Sequence, residues 1–283
     1  MWTIFYCLLC CWIFHSTHAK KSPWDNCNRA CGFKWLPRQT SRALGWPVTK
    51  IQFPWVAFVK LYAENCITED DSEATYSCTG TIIDHSWLTI AQHCFQIPPK
   101  CTYGNTGFTQ RIHKVLVYPN IHNKNQATAD NQYEVDMNRI GHVYNLDLAV
   151  LRLKTPIPEH IARPACLMSI VDLNENQEMV AQGYGLYVTR NDKGQQQWSD
   201  SQVLRESKVM YTNNCPRTFY SKKRPSFFLC GKGTLKGIGM GDSGGPLNLD
   251  YAPNWAHVVG TSSASTVSAH PPGNVFHGEF YFV

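Results

Sequence analysis

Gly241-Asp242-Ser243-Gly244-Gly245-Pro246-Leu247 is the stretch on which the reading of this chain turns. Glycine on both sides of a serine lets backbone come very close to a ligand. The amides of Gly241 and Ser243 can then point at one oxygen atom, which is what an oxyanion needs. A glycine-rich surface turn would give the same string, since short motifs match by chance. Two other stretches narrow the choice. Trp87-Leu88-Thr89-Ile90-Ala91-Gln92-His93-Cys94 reads as a strand ending in a short turn that carries His93. Leu146-Asp147-Leu148-Ala149-Val150-Leu151-Arg152-Leu153 places an acid at the head of an apolar strand. Taken singly, His93 reads as a structural histidine, and Asp147 as a cap or a buried acceptor for a donor such as histidine.

Around these stretches the chain is a series of short apolar runs. Trp55 to Leu61, Gly80 to Ile83, Lys114 to Tyr118, Met179 to Tyr187 and Ala256 to Gly260 are examples, rich in Val, Ile, Thr and aromatics. Turn residues separate them, and no helix-period stretch of 12 or more is evident. The pattern predicts an all-β sandwich or barrel. Asn120 to Tyr144 is long and polar and reads as a loop. Lys20 to Arg42 is basic, lacks a clear period and reads as a pro-segment.

Composition excludes whole classes. Of 283 residues, 43% are hydrophobic and 17% charged, which rules out a disordered or collagen-like chain. A net charge of +5 with no concentrating run gives no reason to expect nucleic acid. Met1 to Ala19 has no charged residue, an apolar stretch from Trp2 to Phe14, and Thr17-His18-Ala19 as a small-x-small cleavage site. It reads as a secretory signal peptide, too short to span a bilayer. Of 12 cysteines, nine follow that segment: Cys27, Cys31, Cys66, Cys78, Cys94, Cys101, Cys166, Cys215 and Cys230. Their wide spacing fits disulfides in an oxidising compartment rather than a zinc site. Nine is odd, so one is expected to be free or to pair outside the chain.

His93, Asp147 and Ser243, in that order, resemble the chymotrypsin/trypsin-like serine proteases. Sequences of that family read Thr-Ala-Ala-His-Cys, then Asp-Ile-Ala-Leu-Leu, then Gly-Asp-Ser-Gly-Gly-Pro. The likeness runs from about Ala43 to Gly273 and includes Pro54-Trp55, Cys78-Thr79-Gly80-Thr81, Arg163-Pro164-Ala165-Cys166-Leu167 and Gly183-Tyr184-Gly185. The same order excludes an α/β-hydrolase, whose acid and histidine follow the serine.

The resemblance implies two six-stranded antiparallel β-barrels, with the family's C-terminal helix missing here. It implies residues 1–19 as signal, 20–42 as pro-segment and 43–283 as the protease domain. His93, Asp147 and Ser243 become the catalytic residues, with Gly241 and Ser243 as the oxyanion hole. Ser263 supports the acid and lines the substrate strand. Gly237 lies at the pocket floor, with Ser265 and Gly273 on its walls. Cleavage after Arg42 frees Ala43 to pair with Asp242. Disulfides are implied for Cys78–Cys94, Cys215–Cys230 and Cys31–Cys166; elimination joins Cys66 to Cys101 and leaves Cys27 odd. Met179 and Leu249 stand where the family has a cysteine pair, so packing replaces that bond. The implied partners are protein or peptide substrates and protein inhibitors, with no cofactor, no metal, no nucleic acid and, once the signal is removed, no membrane. The implied activity is a secreted serine endopeptidase; the rival is a non-catalytic homologue that binds proteins through the same cleft. Ala43 in place of a larger apolar residue favours the rival, and the complete triad favours the enzyme.

Overall fold

The computed structural model describes residues 31–34, 46–47, 53–67, 73–96, 112–143, 146–168, 173–190, 196–213, 228–234, 239–252, 255–270 and 273–281. The stretch expected to be a signal, most of the expected pro-segment, Cys27, Arg42, Ala43, Cys101, Cys215 and Gly237 lie outside the described residues. No helix among the described residues is long and apolar enough to cross a membrane.

The strands are β1 (Trp46–Pro47), β2 (Val56–Ile67), β3 (Glu73–Asp84), β4 (Trp87–Ile90), β5 (Ile112–Pro119), β6 (Tyr133–His142), β7 (Ala149–Leu153), β8 (Cys166–Leu167), β9 (Glu178–Gly183), β10 (Leu186–Arg190), β11 (Gln196–Asp200), β12 (Arg205–Tyr211), β13 (Phe228–Thr234), β14 (Pro246–Ala252), β15 (Trp255–His270) and β16 (Gly273–Tyr281). The first barrel closes in the order β2-β3-β4-β7-β6-β5. Strand β7 shows why. Ala149, Leu151 and Leu153 are buried while Val150 and Arg152 are half-buried, the two-residue alternation of a strand with one face on a core. Its neighbour β4 brings Leu88 opposite Leu151 and Ile90 opposite Ala149. Both pairs are buried in one cluster with Val59, Leu61, Ile82, Val115 and Val117.

The second set of strands forms a ring of antiparallel pairs. β9 pairs with β12, β12 with β13, β13 with β16, β16 with β15, β15 with β14, and β14 again with β9. Its core holds Met179, Ala181, Val209, Leu229, Leu247, Leu249 and Val259. Met179 and Leu249 are thus packed in the same apolar cluster, as their replacement of a disulfide requires. The two-barrel, all-β expectation holds.

One expectation is corrected. Asn120 to Tyr144 is not a loop: it contains two 3-10 turns, Lys124–Gln126 and Ala129–Asn131, and the whole of β6. Only Val135 of β6 is buried, so the strand lacks an apolar period. Backbone pairing holds it, with β5 at Glu134 and Tyr133 and with β7 at Val135, Ile140, Gly141 and His142.

The segment 31–34 lies as a strap on the second barrel. Cys31 is bonded to Cys166, and Phe33 bridges to Trp255. The Gly32 amide donates to Pro164 O at 3.0 Å, and the Ala256 amide donates to Gly32 O at 3.0 Å. The Lys34 side chain is fully buried and meets Asp250 Oδ1 at 2.9 Å. A buried ammonium without that carboxylate would be costly.

Candidate active site

Three turns carry the predicted residues to one place at the seam of the two barrels. His93 sits on the 3-10 turn Gln92–Phe95 directly after β4, where Cys94 is tied to Cys78 of β3. That bond closes a short loop and contributes about 3 kcal/mol. Asp147 lies just before β7, and Ser243 just before β14. Cys230 is also disulfide-bonded.

The contacts form one chain. Asp147 Oδ2 accepts from His93 Nδ1 at 2.6 Å and from the Ser263 hydroxyl at 2.6 Å. Its Oδ1 accepts the His93 backbone amide at 2.7 Å. Because Nδ1 faces a carboxylate it carries the proton, which leaves Nε2 to accept from the Ser243 hydroxyl at 2.8 Å. Burial pushes the Asp147 carboxyl up. The hydrogen bonds from His93 and Ser263 outweigh it and hold the group below the usual carboxylate range. A base, its orienter and a hydroxyl are therefore in line for proton transfer.

The turn before Ser243 is held from several sides. Gly241 has φ +93°. Met240 O accepts the Leu186 amide at 2.7 Å, and Gly241 O accepts the Thr79 hydroxyl at 2.9 Å. The Thr79 amide donates to Ser243 O at 3.0 Å. The amides of Gly241 and Ser243 donate to no partner among the described residues. Asp242 is buried, with Oδ1 taking the Gly185 amide and Oδ2 the Gly239 amide, each at 2.7 Å. Burial pushes its carboxyl up to about 6, against those amides and the charges of Lys124 and Arg205.

The predicted pocket residues are only partly joined. Ser265 and Gly273 are described by backbone alone. Ser265 pairs with Gly278, whereas Gly273 pairs with His270 at the far end of the β15–β16 hairpin. Which residue faces Ser265 across the hairpin is set by register, not by a local string. Thr79 and Tyr184-Gly185 stand in strings that carry the family resemblance, but those strings do not say that Thr79 and the amides of Tyr184, Gly185 and Leu186 hold this turn. Among the described residues no group of three or more His, Cys, Asp and Glu could hold a metal ion.

Two buried groups make opposite pH demands. His257 is fully buried, and burial pushes its pKa from 6.5 down to about 4. The unfolded chain therefore takes up that proton first, and stability is lost as pH falls from about 6.5 to about 4, by up to about 3 kcal/mol. Asp242 has a raised pKa, so its contribution runs the other way, being lost as pH rises from about 4 to about 6. The expected result is that His257→Phe gains stability relative to wild type as pH falls from about 6.5 to about 4. Urea unfolding at stepped pH checks it, and a constant difference between the two proteins would refute a desolvated His257.

The comparisons with known proteins follow the same line. The trypsin family model matches residues 44–278. The chain is 28% identical over 205 residues to an ovochymase from Halocynthia roretzi, covering 69% of this chain and 11% of that protein. It is 28% identical over 182 residues to human serine protease 56, and 27% over 183 residues to the mouse protein. Each of these two matches covers 60% of this chain and 27% of the relative, so the chain spans only about a tenth to a quarter of these relatives' lengths. With two antiparallel barrels, a seam that joins His93 to Ser243, and a family match over most of its length, this chain belongs to the trypsin family of serine peptidases.

Proposed function

We propose that this chain is a secreted serine endopeptidase that cuts protein or peptide substrates through an acyl-enzyme on Ser243. The hydrogen-bond chain from Ser263 through Asp147 and His93 to Ser243 carries the reading. Ser243 Oγ attacks the peptide carbonyl while His93 Nε2 takes its proton, then returns it to the leaving amine. Asp147, kept ionised by its donors, holds the imidazole tautomer and stabilises the imidazolium. The Gly241 and Ser243 amides receive the oxyanion, each donor contributing roughly 3 kcal/mol to lowering the barrier. Water then enters by the same route to release the acyl group. Export is supported by the reading of residues 1–19 as a signal and by the Cys31–Cys166 and Cys78–Cys94 bonds. Protein inhibitors that occupy the same cleft are the other expected partners. The test is labelling with a fluorophosphonate probe, before and after limited tryptic cleavage. Modification of Ser243 is expected; an unlabelled Ser243 in both forms would return the chain to the non-catalytic reading.

The zymogen proposal rests on Asp242. The hydrogen-bond partners of this buried carboxylate are neutral amides, and Lys124 and Arg205 act on it only from a distance, so its burial is not offset by a direct counter-charge. A new amine at Ala43, freed by cutting after Arg42, would supply one. After such a cut the Lys20–Arg42 piece is expected to run with the protease domain on a non-reducing gel and to separate on reduction, because Cys31 is bonded to Cys166. Full activity of a secreted protein with an intact Arg42–Ala43 bond would overturn the zymogen.

Specificity is read from what the pocket lacks. Cys230 to Gly241 contains no acid, so a Lys or Arg side chain entering there loses water without gaining a counter-charge. Gly237 as floor and Ser265 as wall favour small or medium uncharged residues before the cut bond, unless Lys236 reaches the floor and draws an acidic one. A peptide library is expected to show no trypsin-like preference; a dominant Arg or Lys signal would sink this assignment.

A further inference from the structure

Thr79 touches the turn of the proposed nucleophile at two carbonyls. Its amide donates to Ser243 O at 3.0 Å, and its hydroxyl donates to Gly241 O at 2.9 Å. The same hydroxyl accepts the Tyr184 amide at 3.1 Å. Thr79 is fully buried, so no water substitutes for these bonds from the solvent side. Tyr184, Gly185 and Leu186 then present three successive amides to this region. Tyr184 donates to Thr79 Oγ1, Gly185 to Asp242 Oδ1, and Leu186 to Met240 O.

These bonds fix directions. In a trans peptide the C=O and the following N–H point opposite ways. Met240 O is turned to Leu186, so the Gly241 amide is turned away from it. Gly241 O and Ser243 O are both turned to Thr79. The Asp242 and Gly244 amides are bonded to Gly239 O at 3.1 Å and Ser262 O at 2.7 Å. What stays available are the amides of Gly241 and Ser243, the two donors of the proposed oxyanion hole. Gly241 has φ +93°, and a glycine there has few steric limits of its own. Its orientation must come from its bonds.

We propose that Thr79 is a positioning residue: its hydroxyl, relayed from the Tyr184 amide, sets the orientation of the oxyanion turn. The inference rests on the peptidase reading for its kinetic consequence, but not for its structural one. Valine keeps the shape of threonine and removes the hydroxyl; serine keeps the hydroxyl. In the Arg42-cut enzyme, Thr79→Val is expected to lower kcat about 10- to 100-fold with KM within about twofold, short of the loss when an oxyanion donor is removed outright. Binding of a peptidyl boronate, which mimics the tetrahedral species, should weaken by the same factor, and Thr79→Ser should restore both. Unchanged kcat in the valine variant, or a loss that serine does not rescue, would overturn the proposal.

Amide hydrogen exchange of residues 239–245 reads the same device without catalysis. Faster exchange of the Asp242 amide in Thr79→Val, by about tenfold or more and with β4 and β7 protection unchanged, supports it. Unchanged exchange overturns it, even if the wild-type chain shows no turnover and the peptidase reading itself has failed.

Discussion

Ser243→Ala is expected to lower peptide-bond hydrolysis by about 10⁶-fold, and His93→Ala by about as much. The reason is the single line of bonds from Asp147 Oδ2 through both imidazole nitrogens to Ser243 Oγ. An imidazole with no hydroxyl to deprotonate has no role, and a hydroxyl with no base is a weak nucleophile at neutral pH. The double variant should therefore be little worse than either single one. Asp147→Asn should cost about 10⁴-fold, because an amide facing Nδ1 no longer enforces the tautomer that leaves Nε2 free to accept. Residual rates about 10³-fold above water would remain in each case from the oxyanion donors and binding. Turnover of a peptide library by the cut enzyme measures all four proteins. Wild-type turnover by Ser243→Ala would end the peptidase assignment.

Gly244→Ala should fail differently, by unfolding the seam. Gly244 has φ +90°, where a Cβ is strained in any surroundings. That Cβ would also land on the carbonyl oxygen of Thr79, 2.8 Å from the Ala91 nitrogen and 2.9 Å from the Ile90 Cα. All three are backbone atoms of the first barrel, so no side chain can rotate aside. Strain and overpacking together cost at least about 3 kcal/mol, or about 6–12 °C in Tm. Gly141→Ala is the control, since its Cβ meets only Val150 O, at 3.9 Å. Calorimetry of the two variants should show the first well below wild type and the second within about 2 °C. Equal melting would mean that β14 does not enter the seam in this register.

The parts of this protein that can be read from sequence are those written in local strings. His93, Asp147 and Ser243 each stand in a short motif at the end or head of an apolar strand, and their order alone rejects the α/β-hydrolase elbow. The apolar runs likewise mark the strands whose inner face meets a core, as in β4 and β7. Strand β6 escapes because it is held by backbone pairing, and its exposed side chains carry no period. The pairing of Ser265 with Gly278 depends on hairpin register, and register is not a local property. The roles of Thr79 and Lys34 are hidden for a third reason. Their partners lie 162 and 216 residues away, and neither the string around Thr79 nor anything beside Lys34 says what the side chain will meet.

The strap at Cys31–Lys34 bears on how this protein can be made in the laboratory. A recombinant version beginning at Ala43, the N-terminus proposed for the cut form, would omit the strap. It would leave Cys166 as an orphan thiol and take from Asp250 the buried lysine that meets it. Refolding yield should suffer, and the stray thiol invites mispaired dimers. Expressing the chain from residue 20 and cutting it afterwards avoids both faults. A purification handle fused ahead of the strap would then stay attached through Cys31–Cys166 after the proposed cut and come away only with reductant, so residues 20–42 could serve as a releasable anchor for the domain on a resin.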